Sequence, residues 1–158
     1  MGLPKSVFVV GSFPGCLVGM AYPPQNLPWL KLHEMGVQKV VCLCNQRPNY
    51  HPNPCEFGFC TDLEDLVGGF WPEDPEAEGA KVNAAVDATL RLISANTGTV
   101  VHCIGGRGRT GTVIGGVLVR LGMPVADVQS YLDGLSRQAG KDGWPESPWA
   151  IRFLETLA

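Results

Sequence analysis

The sequence has no apolar run of about 18 residues, the length that a helix needs to cross a membrane. It also has no excess of positive charge, because 12 Lys and Arg residues are opposed by 15 Asp and Glu residues and the formal net charge is −3 at pH 7. A general nucleic-acid binder usually carries a basic stripe. We therefore expect no stable membrane insertion and no nucleic-acid partner, and any attraction for anions must be local.

The amino-terminal segment lacks the long apolar stretch and small-residue cleavage site of a secretory signal. We therefore expect a cytoplasmic protein with reduced thiols, although the count of 6 cysteines is even. The spacings C-x-C and C-x4-C differ from the paired C-x2-C of common zinc modules, which disfavours a zinc site built from Cys42, Cys44, Cys55 and Cys60. The sequence predicts small core cysteines and no metal or other cofactor.

Internal repeats, low-complexity tracts and interdomain linkers are also missing, which suits a single domain over residues 1–158 and, we expect, a monomer. Strand-like segments alternate with helical ones, a pattern that predicts an α/β fold with a central, largely parallel sheet flanked by helices. We expect strands at 7–10, 39–44, 55–60 and 99–103. We expect helices at 27–36, 81–96, 109–122, 124–138 and 147–158, and a long acidic surface loop at 61–80.

The segment HCIGGRGRTG follows a predicted strand and opens a predicted helix. Gly105, Gly106 and Gly108 allow the backbone to turn tightly, so that successive N–H groups converge on one point. The N-terminal end of the helix adds positive potential, and Arg109 can donate two hydrogen bonds to phosphate oxygens. These dipoles favour the thiolate of Cys103, which is the nucleophilic form of cysteine. The loop therefore predicts a phosphate site with a sulfur directed at the phosphorus.

Neighbouring residues have supporting roles in this interpretation. The Thr110 hydroxyl lies within reach of the sulfur as it leaves, and Arg107 adds positive charge at the rim of the pocket. His102 is expected to hydrogen-bond the backbone and hold the shape of the loop, not to act as a general base. The predicted phosphate-binding residues are Ile104, Gly105, Gly106, Arg107, Gly108 and Arg109.

His102, Cys103, Arg109 and Thr110 together resemble the His-Cys-x5-Arg-Thr signature of the cysteine-dependent protein-tyrosine phosphatases. The small size and the single acidic loop are similar to the dual-specificity branch of that superfamily. The resemblance implies phosphomonoester hydrolysis through a phosphocysteine intermediate on Cys103. A phosphorylated protein or a small phosphomonoester is the expected substrate.

The resemblance also implies an aspartic acid on a mobile upstream loop that protonates the leaving oxygen, an effect often worth about 10²–10⁴ in rate. The stretch LEDLVGGFWP is similar to the family's acidic stretch, in which an aspartic acid is followed within a few residues by proline. That similarity favours Asp65 as the general acid. Asp62 and Asp74 remain alternatives.

Two further segments leave alternatives open. VVCLCNQRPNY resembles the strand and arginine-bearing loop that approach the catalytic cysteine in dual-specificity and phosphoinositide phosphatases. By that resemblance Cys44 is a candidate for a protective disulfide with Cys103, or else a packed core cysteine. Arg47 is either a second anion contact or a solvated arginine. DGWPESPW either packs its tryptophans on the edge of the core or forms a pocket wall that supplies Glu146.

Two other functions fit the same loop. One is a pseudophosphatase module that binds phosphate groups without hydrolysing them, although such proteins usually lose the cysteine, the arginine or the acid. The other is a phosphatase for a non-protein substrate such as a phosphoinositide, because a basic residue at the position of Arg107 is similar to enzymes for highly anionic substrates.

Overall fold

A five-stranded sheet organises the computed structural model, which describes residues 2–158. In chain order the strands are β1 (Phe8–Ser12), β2 (Cys16–Met20), β3 (Val37–Cys42), β4 (Glu56–Cys60) and β5 (Gly98–His102). The helices are α1 (Trp29–Glu34), α2 (Pro75–Ser94), α3 (Gly108–Arg120), α4 (Val125–Gln138) and α5 (Pro148–Leu157). Within residues 2–158, no helix has the length and apolar character that crossing a membrane requires.

The strands are ordered β1-β2-β5-β3-β4. The β1–β2 pair is antiparallel, and the three other pairs are parallel. The prediction of an α/β fold with a largely parallel sheet is therefore confirmed. All of β5 is buried, as a central strand covered on both faces should be. Its carboxyl end lies between those of β2 and β3, and this edge is where ligands of open α/β sheets bind.

Alternate residues of the central strands face two different cores. Val41 and Val101 belong to the larger core, with residues of α2, α3, α4 and α5. Val40 and Val100 belong to the smaller core on the opposite face, with Leu32 of α1. Since side chains alternate along a strand, odd-numbered and even-numbered residues of β3 and β5 face opposite sides of the sheet.

The structure adds one strand to the prediction and corrects two of the predicted boundaries. The strand β2 was not predicted, and it forms because CLVGM pairs with β1 on one side and with β5 on the other. Helix α2 begins at Pro75 and not at 81, because the Asp74 carboxylate accepts a hydrogen bond from the Ala77 N–H at 3.1 Å and caps the helix. The acidic loop is correspondingly shorter. Strand β3 ends at Cys42, and Cys44 instead forms an isolated antiparallel bridge with Asp62.

Candidate active site

The loop between β5 and α3 holds Cys103 at its base. Cys103 is only 2% exposed. Its Sγ accepts a hydrogen bond from the N–H of Gly106 at 3.3 Å, so a loop amide is already directed at the sulfur. The loop is anchored to the end of β2, because the Tyr22 N–H donates to the carbonyl oxygen of Ile104 at 2.9 Å. The turn predicted from the glycines is therefore held in place by the neighbouring strand.

Gly106 is the loop position at which only glycine fits. Its φ is +74°, in the left-handed region that side chains rarely adopt. A Cβ here would lie 2.6 Å from the backbone nitrogen of Ala21 and the carbonyl carbon of Met20. The close approach of β2 therefore requires glycine at this position.

We expect Gly106→Ala to destabilise the fold by about 1–3 kcal/mol, because the new side chain combines backbone strain with a steric overlap. Gly105→Ala is the matched control, since a Cβ on Gly105 meets no heavy atom within 4 Å. Urea unfolding measures the loss of stability in each variant, and titration with inorganic phosphate measures the affinity of the loop. An equal loss of stability in the two variants would contradict the role assigned to Gly106.

Arg109 lies between the loop and the acidic segment that follows β4. Its Nη2 lies 3.5 Å from Oδ2 of Asp65, and its Nη1 donates to the carbonyl oxygen of Leu63 at 3.4 Å. The other carboxylate oxygen of Asp65 accepts from the N–H of Val67 at 3.2 Å. The structure thus brings Asp65 to Arg109, and a bound phosphate would compete with Asp65 for the guanidinium.

Neither of the other two candidate acids forms an ion pair with Arg109 within the described residues. Asp74 caps α2 through its carboxylate. Asp62 is exposed, and its carbonyl oxygen accepts a hydrogen bond from Lys81 Nζ at 2.7 Å. Among the ion pairs formed by residues 2–158, Asp65 alone of the three candidates pairs with Arg109. The geometry therefore favours Asp65.

His102 connects the loop to the α1 side of the sheet. Its Nδ1 lies 3.0 Å from the carbonyl oxygen of Cys103, and because that oxygen can only accept, Nδ1 carries a proton. Its Nε2 lies 2.6 Å from the hydroxyl oxygen of Tyr50. Burial raises the pKa of Tyr50, so the hydroxyl stays protonated and shares a hydrogen bond with Nε2. His102 is placed as expected for a residue that fixes the loop, and Tyr50 is a partner that the sequence did not suggest.

Two side chains of the loop face inward. The Thr110 hydroxyl is fully buried and has no hydrogen-bond partner among residues 2–158. The Arg107 guanidinium lies 4.9 Å from the centre of the Phe8 ring and donates to the carbonyl oxygen of Gly106 at 3.0 Å. Burial lowers the pKa of Arg107, and nearby Cys103 opposes that effect. The Arg107 guanidinium thus packs against the first residue of β1.

The segment before α5 forms a wall beside the loop. Trp144 is buried, and its Nε1 donates to the carbonyl oxygen of Gly108 at 3.5 Å. The carboxylate of Glu146 packs against the Cα of Gly108. Burial raises the pKa of Glu146, Asp65 raises it further, and Arg109 lowers it. Both interpretations of DGWPESPW therefore hold, because the tryptophans pack and Glu146 faces the site.

We expect Glu146→Gln to change stability in a pH-dependent way. A carboxyl whose pKa is raised by folding binds more protons in the folded state, so its contribution to stability falls as pH rises from the unfolded pKa through the folded pKa. The Gln variant lacks this loss. Its Tm relative to the unmodified protein should therefore be higher near neutral pH than at about pH 4, the ordinary pKa range of glutamic acid. Thermal unfolding of the two proteins at both pH values tests this expectation, and Glu155→Gln, at an exposed position, is the control. A Tm difference between Glu146→Gln and the unmodified protein that is equal at both pH values would contradict it.

The other cysteines do not form the four-cysteine zinc site considered from the sequence, and Arg47 lies at the surface. All six thiols are free. The Cys55 Sγ donates to the carbonyl oxygen of Val37 at 3.3 Å, away from Cys42 and Cys44, so the four-cysteine zinc set does not form one cluster within the described chain. Cys44 is half-buried, and its disulfide with Cys103 stays a prediction. Arg47 is exposed, and its backbone N–H donates to Asn45.

Comparison with known proteins identifies similar sequences and folds. The family described as the DSP-PTPase phosphatase of polymorphic toxin systems matches residues 28–123. The core catalytic domain of the PP-IP phosphatase SIW14 from S. cerevisiae is 15% identical, with a TM-score of 0.69, and the match covers 100% of this chain and 88% of that chain. No curated protein sequence shows significant similarity.

Two other solved structures have the same architecture. Human DUSP28 is 18% identical, with a TM-score of 0.67, and the match covers 98% of this chain and 94% of that chain. TpbA from P. aeruginosa is 13% identical, with a TM-score of 0.66, and the match covers 99% of this chain and 88% of that chain. At these identities the structural likeness establishes the fold.

Proposed function

Because the chain belongs to the family of DSP-PTPase phosphatases of polymorphic toxin systems, it is a cysteine-dependent phosphatase, and we propose that it hydrolyses phosphorylated proteins through a phosphocysteine on Cys103. One observation carries this proposal. The Cys103 sulfur accepts a loop N–H at the N-terminal end of α3, beside the ion pair of Arg109 and Asp65. The proposal assigns Cys103 as the nucleophile, the loop amides with Arg109 as the anion site, and Asp65 as the proton donor.

In the first step the Cys103 thiolate attacks phosphorus and forms the S–P bond. The bond between phosphorus and the ester oxygen breaks, and Asp65 gives its proton to the departing oxygen. Loop amides and Arg109 bind the equatorial phosphate oxygens, where negative charge is held in the transition state. The donors are already oriented by β2 and α3, so little reorganisation is needed during the reaction.

In the second step water attacks the phosphocysteine. Asp65, now a carboxylate, takes a proton from that water, the S–P bond breaks, and inorganic phosphate leaves. The sulfur departs as a thiolate, and the buried Thr110 hydroxyl is suited to donate a hydrogen bond to it because it has no other partner among residues 2–158. His102 holds the carbonyl of Cys103 through its Nδ1.

Hydrolysis of p-nitrophenyl phosphate in reducing buffer with excess chelator tests the proposed function. We expect saturable release of p-nitrophenolate with competitive inhibition by inorganic phosphate, because the loop and Arg109 supply the positive field without a metal. Phosphate binding without hydrolysis would contradict the proposal and favour the pseudophosphatase module.

A non-protein phosphatase is the second candidate function. The structural neighbour SIW14 is described as a PP-IP phosphatase, and Arg107 provides a second positive charge in the loop. The Arg107 guanidinium is packed on Phe8 and donates to the Gly106 carbonyl, however, so it is already partly engaged within the protein. We therefore expect a higher kcat/KM on phosphopeptides than on phosphoinositide micelles, and the reverse order would favour the second candidate.

A further inference from the structure

We propose that Cys42, Cys44 and His102 form a binding site for a thiophilic divalent cation of the Zn²⁺ type, on the α1 side of the sheet beneath the phosphate-binding loop. The two sulfur atoms and a ring nitrogen of His102 all lie within 4.8 Å of one another. Thiolate and imidazole are the ligands that Zn²⁺ prefers. This set contains a histidine from β5 and two cysteines from the end of β3, a combination that cysteine spacing alone does not reveal.

Strand register brings the ligands together. Cys42 is the direct neighbour of His102 in the parallel pairing of β3 with β5. Cys42 and His102 each lie two positions after a residue of the smaller core, Val40 and Val100, so both side chains face the α1 side of the sheet. Cys103 packs in the opposite core. Cys44 follows after the bend at Leu43. The site is therefore built on the central strands, where backbone positions are well defined.

The imidazole of His102 is already in the tautomer that a metal requires. Nδ1 donates a hydrogen bond to the carbonyl oxygen of Cys103, so Nε2 is the ring nitrogen that can bind a metal. Metal-binding histidines almost always donate their other ring N–H to a carbonyl or carboxylate in this way. The Tyr50 hydroxyl now occupies Nε2 at 2.6 Å, and a cation would take its place.

Charge balance at these ligands favours a divalent cation. A divalent cation with two thiolates and a neutral imidazole has no net charge, which makes burial of the complex acceptable.

Size and access also fit a tetrahedral ion. Zn–S and Zn–N bonds of about 2.3 and 2.0 Å place the ligand atoms roughly 3.3–3.8 Å apart, so small side-chain rotations from the present separations suffice. His102 and Cys42 are fully buried, whereas Cys44 and Tyr50 are half-buried. An ion would therefore enter past Cys44, and a water molecule would complete the coordination.

Cobalt(II) spectroscopy on reduced, metal-free Cys103→Ser protein tests this site without relying on phosphatase activity. The serine removes the reactive thiolate, so any sulfur coordination must come from other cysteines. We expect one equivalent of Co²⁺ to give a thiolate-to-cobalt charge-transfer band in the near ultraviolet and the visible bands of tetrahedral cobalt. One equivalent of Zn²⁺ should then remove both signals, because zinc binds such a site more tightly than cobalt does.

The matched variants locate the ligands. In the same background, Cys42→Ser and Cys44→Ser should each weaken Co²⁺ binding at least tenfold, whereas Cys55→Ser should bind as before because that thiol faces Val37. Circular dichroism establishes that each variant is folded, and half-buried Cys44 provides the test if Cys42→Ser does not fold. An octahedral spectrum without a charge-transfer band, or an unchanged spectrum in the folded variants, would overturn the proposal. Phosphatase activity of the unmodified protein is a separate measurement, so the two proposals can fail independently.

Discussion

Replacing Cys103 by serine is expected to abolish hydrolysis of p-nitrophenyl phosphate while inorganic phosphate still binds. An alcohol is hardly ionised at neutral pH and lacks the reactivity of a thiolate, so the step that forms the covalent intermediate is lost. Removal of the nucleophile should lower turnover by roughly 10⁴-fold or more. The other loop amides and Arg109 are unchanged, which leaves the anion site in place. Steady-state kinetics and calorimetric titration with phosphate measure the two effects.

Cys60→Ser is the matched control for this prediction. Cys60 is a half-buried thiol at the end of β4, on the same edge of the sheet as Cys103 but outside the phosphate-binding loop. We expect this variant to retain turnover. Substantial hydrolysis by Cys103→Ser would exclude the phosphocysteine mechanism, and loss of phosphate binding would show that the thiolate itself maintains the loop.

Local sequence was sufficient to predict the loop because the residues that form it are contiguous in the chain. Residues 102–110 contain the proposed nucleophile, the proposed anion-binding amides and Arg109, and their geometry follows from one strand-to-helix turn. Short-range steric rules decide the course of such a turn. The central parallel sheet was predictable for a similar reason, since buried strands such as β5 read as continuous apolar runs.

Contacts made by tertiary packing were not predictable from local sequence. Tyr50 lies 52 positions before His102, and only the pairing of β3 with β5 brings the tyrosine-bearing loop to that imidazole. Glu146 reaches Gly108 because Trp144 packs against α3. The choice among the candidate acids was also non-local, since it depends on which carboxylate the fold places against Arg109. Long-range packing therefore determines the supporting residues of the site.

The start of α2 shows how the acidic composition of a segment can conceal the structural role of one of its side chains. The acidic run suggests an extended loop, yet Asp74 and Pro75 are a standard N-terminal cap and first position of a helix. The cap engages one carboxylate and shortens the loop that carries Asp65. The same feature thus corrects the fold and gives the Asp74 carboxylate a structural role.

Asp65→Asn is expected to lower turnover by about 10²–10⁴-fold on substrates with poor leaving groups, such as phenyl phosphate. An amide cannot protonate the departing oxygen, and the penalty grows with the basicity of that oxygen. For p-nitrophenyl phosphate the loss should be smaller, because p-nitrophenolate leaves more readily without a proton. Affinity for inorganic phosphate should stay the same or increase, since Arg109 is released from its ion pair with Asp65.

The leaving-group comparison separates proton donation from general damage to the site. A misfolded or displaced loop would slow both substrates by the same factor, whereas a lost acid slows the poor leaving group more. Asp62→Asn and Asp74→Asn are matched controls, and asparagine still caps a helix, so α2 keeps its start. If either control showed the leaving-group-dependent loss and Asp65→Asn did not, the acid would be that residue. The ion pair between Asp65 and Arg109 would then be only a contact that phosphate replaces.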